Sequence, residues 1–139
     1  MNNPNNTVQT ICFLLAIAVL ADKRQRDQEL VEFVHAVTKI NHHLRPDIIM
    51  PRQSILDWYE TEKPNIVERL ASENAEEWKT SLLNDITDEA LQNMVLASLY
   101  SISVSDYELH DEECKFLKLA SQNWGIEIPQ SEMLEHMTA

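Results

Sequence analysis

The side chains best suited to chemistry are carboxylates gathered in two short polar segments. One segment holds Asp106, Glu108, His110, Asp111, Glu112 and Glu113; the other holds Asp22, Asp27 and Glu29. Hard divalent cations such as Mg²⁺ or Ca²⁺ are bound by about six or more oxygens, and carboxylates brought together at a turn can supply several of them. Asp106, Glu108, Asp111 and Glu113 form the richer set of candidate ligands. Asp22, Asp27 and Glu29 form the poorer set, because Lys23, Arg24 and Arg26 are interleaved with them. Neither segment is an EF-hand. The loop counted from Asp106 has no glycine at its sixth position, and it places Leu117 where the bidentate glutamate belongs. The expectation is therefore a weak site of the Mg²⁺ or Ca²⁺ type.

The same acids also have a reading that needs no ligand. Asp22 and Asp106 follow apolar helices, where a carboxylate can accept from turn amides. Asp27 and Asp111 are suited to N-capping the helices that come next. Glu29 and Glu113 fall in the first turn, where the helix dipole favours negative charge. Lys23, Arg24 and Arg26 in one turn can pair with the acids of the other, and such exposed pairs contribute little stability.

Enzymatic constellations are absent from the sequence. Glu32 and His35 form a lone Glu-x-x-His, whereas a di-iron bundle needs two. His42 and His43 are adjacent, a spacing that seldom directs two rings at one ion, so a solvated connection is expected there. Ser101, Ser103 and Ser105 precede His110 without a nucleophile elbow. Cys12 and Cys114 lie in apolar stretches without zinc-ligand spacing, as expected of buried, reduced thiols in a cytoplasmic protein. A non-enzymatic protein is expected.

The elements that position these residues are helices. The chain has 139 residues, of which 44% are hydrophobic and 24% charged, a composition that fits one folded domain spanning 1–139. A single glycine excludes the glycine-rich loops of nucleotide-binding folds and the turns of β-sandwiches. The pattern predicts an all-α bundle of seven or eight helices after a frayed start at 1–6. The first runs from about Thr7 to Ala21 and is apolar nearly all round. The second spans about Gln28–Ile40, with a stripe through Leu30, Val31, Phe33, Val34 and Val37. Asn41–Pro51 reads as the longest connection. Arg52–Glu62 forms the next helix, and Pro64 suits the first position of another, to about Ser72. Helices follow around Trp78–Ile86, over Asp88–Ser103 capped by Thr87, and from Asp111 to the helix stop at Gly125. A short terminal helix opens at Pro129–Ser131. Trp58, Trp78 and Trp124 are expected in the core or at its rim. The apolar run Ile11–Ala21 is too short to span a bilayer and lacks a basic flank, so neither a membrane helix nor a signal peptide is expected.

The chain also repeats itself at an offset of 84 residues. Asp22 aligns with Asp106, Asp27 with Asp111 and Glu29 with Glu113. The apolar flanks agree, Ile11 with Val95, Leu15 with Leu99, Phe33 with Leu117 and Ala36 with Ala120. Each copy reads as apolar helix, acidic turn and amphipathic helix, and two such hairpins can pack about a pseudo-two-fold axis.

Net charge is −12, and residues 73–139 carry most of it, with fourteen acids and three bases. An exposed nucleic-acid interface is excluded on that ground, and an anionic membrane surface is disfavoured. The partner expected is a protein with a basic surface; a homodimer is also open.

The doubled pattern resembles the TerB-like family of tellurite-resistance proteins. Its hallmark is an apolar helix ending in Asp-Gly, then an aliphatic residue, then a glutamate seven residues after the aspartate. The second copy supplies Asp106, Leu109 and Glu113; the first supplies Asp22 and Glu29, with Gln25 at the aliphatic position. The family glycine is Lys23 in one copy and Tyr107 in the other. The likeness extends from about Thr10 to Met137. It implies an all-α fold, a cytoplasmic bacterial protein, a stress-response or tellurite-resistance association and cation binding by acids at the turns.

Overall fold

A computed structural model describes residues 4–21, 27–104 and 111–127. Among them are six helices and no strand: α1 (Pro4–Leu20), α2 (Asp27–Leu44), α3 (Arg52–Leu70), α4 (Ala75–Asn84), α5 (Glu89–Ser103) and α6 (Asp111–Trp124). The expected terminal helix after Pro129 falls outside the described residues.

α1 carries no charged side chain, and it lies at the centre. Every residue from Leu14 to Leu20 is buried, as are Val8, Ile11 and Cys12. α2 and α5 pack along α1, and α3 and α4 cover it elsewhere. The covering helices present narrower stripes. α2 buries Phe33, Ala36, Val37 and Ile40, spaced for one helical face. α5 buries Leu91, Val95, Leu96, Leu99 and Ile102, and α6 buries Phe116, Leu117 and Ala120. Phe13 of α1 meets Trp58 of α3 edge-on at 5.2 Å and Trp78 of α4 at 6.2 Å. Phe33 of α2 stacks on Trp58 at 6.4 Å and contacts the buried Tyr59 ring at 5.5 Å. These aromatic contacts join the first four helices.

Local chemistry sets the helix ends. Asp88, not Thr87, caps α5: its Oδ2 accepts from the Leu91 amide at 2.9 Å. α6 stops at Gly125, whose φ of 66° lets the Ile126 amide reach the Ser121 carbonyl at 3.0 Å. The same end is fastened to α4 by Trp124, whose indole donates to the Leu83 carbonyl at 2.9 Å.

Two connections differ from the sequence-based expectation. α2 continues past Ile40 to Leu44, because Asn41 is buried and gives the turn a polar anchor. Its amide donates to the Ile48 carbonyl, and its Oδ1 accepts from Arg45 Nε, both at 2.8 Å. The connection shortens to 45–51 and holds Ile49, the most exposed large apolar residue described, at 87% exposure.

The helix expected to begin at Pro64 is not separate, since α3 runs through that proline. Pro64 and Glu60 both face solvent, so water can satisfy the Glu60 carbonyl that the missing amide leaves. Ile55, Tyr59 and Ile66 are buried on either side of the proline and hold the two halves to the core. Among the described residues, no helix is long and apolar enough to cross a membrane.

Because Pro64 removes a hydrogen bond without serving as a helix start, Pro64→Ala is expected to stabilise the fold. The gain is about 1–2 kcal/mol after the loss of proline's restraint on the unfolded chain. Urea unfolding measures it, and a lower midpoint would mean that the core needs the bend. Leu99→Ala, at a fully buried position, is expected to lose about 2–5 kcal/mol in the same assay.

Candidate functional site

The two acidic segments sit where each apolar helix gives way to its amphipathic successor. Asp22, Asp106, Glu108 and His110 lie outside the described residues. The first turns of α2 and α6 are described, and they sort their acids the same way. Asp27 and Asp111 are the first helical residues and face solvent. Each therefore lies inside its helix and not at the N-cap expected for it. Glu29 and Glu113 stand at the third helical position and are each only 1% exposed, with Oε2 shut off from solvent.

Helical geometry explains the split. Residues two apart point to nearly opposite sides of a helix, so an aspartate facing water requires its i+2 glutamate to face the core. A glutamate at this third position can reach back to the start of its own helix, the arrangement of a capping box. Each helix thus begins with one wet carboxylate and one buried carboxylate. Glu112, between the two in α6, is exposed and bonds Lys115 at 3.1 Å. That hydrogen bond and the Glu112 charge hold the Lys115 amine above its ordinary pKa.

Other repeat-related positions agree in burial. Ile11 and Val95, Leu15 and Leu99, Phe33 and Leu117, and Ala36 and Ala120 are all in the core. α1 packs on α2, α5 on α6, and α1 on α5. Among the described residues, no three acids, histidines or cysteines come together in a way that could hold a metal ion.

Further groups have clear electrostatic settings. Burial pushes the Cys12 thiol up to about 12, against the opposing pull of Arg45. Tyr59 is raised by burial first, then by the nearby charges of Glu60 and Glu29. His35 is exposed on α2, and His42 and His43 face solvent near its end. Trp58, Trp78 and Trp124 are half-buried at the rim of the core.

Three surface features had no counterpart in the sequence reading. Glu76, Glu77 and Asp85 share a shallow depression on α4 with Thr80, Ser81 and Asn84. Asn41 clamps the turn that displays Ile49. Lys63, Val67, Leu70 and Ala71 form one stripe along α3, facing a cleft beside α1 and α6. Their spacing of four, seven and eight residues is a helical signal, but it appears only when α3 is read straight through Pro64.

Compared with known protein families, with curated proteins and with solved structures, the chain matches none.

Two outcomes follow from the burial pattern. Glu29→Ala and Glu113→Ala are each expected to cost about 1–3 kcal/mol, since a buried polar group is lost from a built environment. Asp27→Asn and Asp111→Asn are expected to cost under about 1 kcal/mol. Denaturation with and without EDTA separates a capping role from ligation, because capping glutamates give the same loss in both. Cys12 has a raised pKa, so its reactive thiolate is scarce below that pKa and grows as pH rises toward it. At pH 8 it is expected to resist a thiol reagent in the native protein and to react on unfolding; rapid native labelling of Cys12 would contradict its burial.

Proposed function

We propose that this chain is a non-enzymatic, acidic interaction and stress-response module of the TerB-like kind, working in the cytoplasm. It is built on two hairpins, α1–α2 and α5–α6, related by a pseudo-two-fold axis. The observation that supports this reading is the matched fate of the repeated acids: Glu29 and Glu113 are buried alike, and Asp27 and Asp111 are exposed alike. An equivalence that extends from apolar positions to carboxylates is what a duplicated helix–turn–helix unit produces.

In this proposal a divalent cation binds weakly at the second turn through Asp106, Glu108 and Asp111. Glu113 supports the turn from inside, with Asp22, Asp27 and Glu29 as the poorer equivalent. A second reading is an acidic partner-binding protein that masks a basic surface without metal. It is favoured by the α4 depression, where Glu76, Glu77 and Asp85 face outward and Lys79 is engaged by Glu76 at 3.0 Å.

Calorimetric titration with Mg²⁺, Ca²⁺, Mn²⁺ and Zn²⁺ decides between them. Saturable binding is expected, and D106N/E108Q/D111N is expected to weaken it at least tenfold. Heat-silent titrations with all four ions would reject the cation site. In that case a lysine-rich peptide is expected to bind, to weaken with added salt, and to lose affinity in E76Q/E77Q/D85N. Peptide binding indifferent to both salt and these substitutions would reject the acidic docking face.

A further inference from the structure

Among the described residues, four large apolar side chains are exposed, and two of them are neighbours. Ile48 is 48% exposed and Ile49 is 87% exposed, both on the connection between α2 and α3. Their display is built into the turn. The Arg45 amide donates to the Asn41 carbonyl at 2.7 Å, and the Ile48 amide donates to the Arg45 carbonyl at 3.0 Å. The buried Asn41 side chain then donates to the Ile48 carbonyl at 2.8 Å. Met50 turns inward and lines a small cavity with Val8, Gln9 and Cys12 of α1. A connection fixed at Asn41 and Met50 thus holds two isoleucines out in water.

The charge around them is opposite to that of the chain as a whole. Residues 35–52 hold Lys39, Arg45 and Arg52, three of the five histidines, and a single acid, Asp47. The remainder of the chain has eight bases and twenty-two acids. Lys39, His42 and His43 lie within two residues of Asn41, whose side chain bonds Ile48, and all three are exposed. Arg52 is exposed and stands three residues past Ile49, at most about 11 Å along the chain. The helices behind the turn supply few opposing charges. α1 has none, and α5, which packs on α2, has one acid, Glu89. Exposed charges more than about 8 Å apart are largely screened at physiological salt. The net charge of −12 that disfavours an anionic membrane is therefore not the charge this end of the bundle presents.

A partner must answer both the isoleucines and the bases. The acidic depression of a second copy offers charge, but its lining of Glu76, Glu77, Thr80, Ser81, Asn84 and Asp85 gives Ile49 no apolar surface. A nucleic-acid backbone has the same defect. An anionic bilayer supplies hydrocarbon and negative headgroups together.

We propose that the α2–α3 connection docks on the surface of an anionic phospholipid bilayer. Ile48 and Ile49 enter the boundary between headgroups and acyl chains, and Lys39 and Arg52 pair with the headgroups. The contact is peripheral, and it does not depend on the role of the acidic turns.

The test is flotation of the full chain with vesicles of phosphatidylcholine containing about one third phosphatidylserine. Co-flotation is expected, and it is expected to fall at least fivefold with pure phosphatidylcholine vesicles or in high salt. I49S and K39Q/R52Q, with folding confirmed by circular dichroism, are each expected to reduce it at least fivefold. V31S alters an exposed apolar residue of α2 away from the turn and is expected to leave it unchanged. Four outcomes overturn the proposal: no co-flotation of the wild type, equal binding to the two kinds of vesicle, undiminished binding by folded I49S, or a loss in V31S as large as that in I49S. Self-association without vesicles that disappears in I49S would assign the turn to a second copy, and would overturn it as well.

Discussion

A helix with no charged residue must be covered on nearly every side, and the rest of this architecture follows from that demand on α1. Burying one large aliphatic side chain contributes about 1.5–3 kcal/mol, and α1 buries Ile11, Leu14, Leu15, Ile17, Val19 and Leu20. No single amphipathic helix presents enough apolar surface to enclose a cylinder of this kind. α2 and α5 flank it, while α3 and α4 supply the remaining wall through Trp58 and Trp78, both of which meet Phe13. The outer helices then need only one apolar stripe each, and their other faces carry the charge that gives the chain its acidic balance.

The helical class and the central place of α1 were legible because each rests on composition or on a period of three to four residues; the stripe on α2 was legible in part, since Phe33 and Val37 are buried as expected but Val31 is 55% exposed and the face runs on through Ala36 and Ile40. The end of α2 was not. It depends on Asn41 bonding Ile48 and Arg45, contacts up to seven residues apart that no local propensity encodes. Pro64 misled for a related reason. Proline is an ordinary helix opener, and only its exposure, with Tyr59 and Ile66 anchored on either side, lets α3 run through it. Reading a break there also hid the Lys63–Val67–Leu70 stripe, so the cleft left no trace in the sequence.

For the acidic turns, the spacing of Asp111 and Glu113 announced a helix start, and so did that of Asp27 and Glu29. Their opposite exposure followed from the same spacing but had to be seen against the core. In a helix, carboxylates two residues apart divide between water and protein, so the acids of one first turn cannot all face one ion. A count of acids in a short segment therefore overstates how many of them can act together.

The order of α1 and α5 along the chain has a consequence during synthesis. α1 leaves the ribosome well ahead of α5, with about 70 residues between them, a delay of several seconds at ~5–20 residues per second. Throughout that interval the most apolar segment of the protein has α2, then α3 and α4, but not its last flank. The nascent chain must therefore carry an incompletely shielded helix until Leu99 and its neighbours emerge, and that interval is when this chain is most open to aggregation.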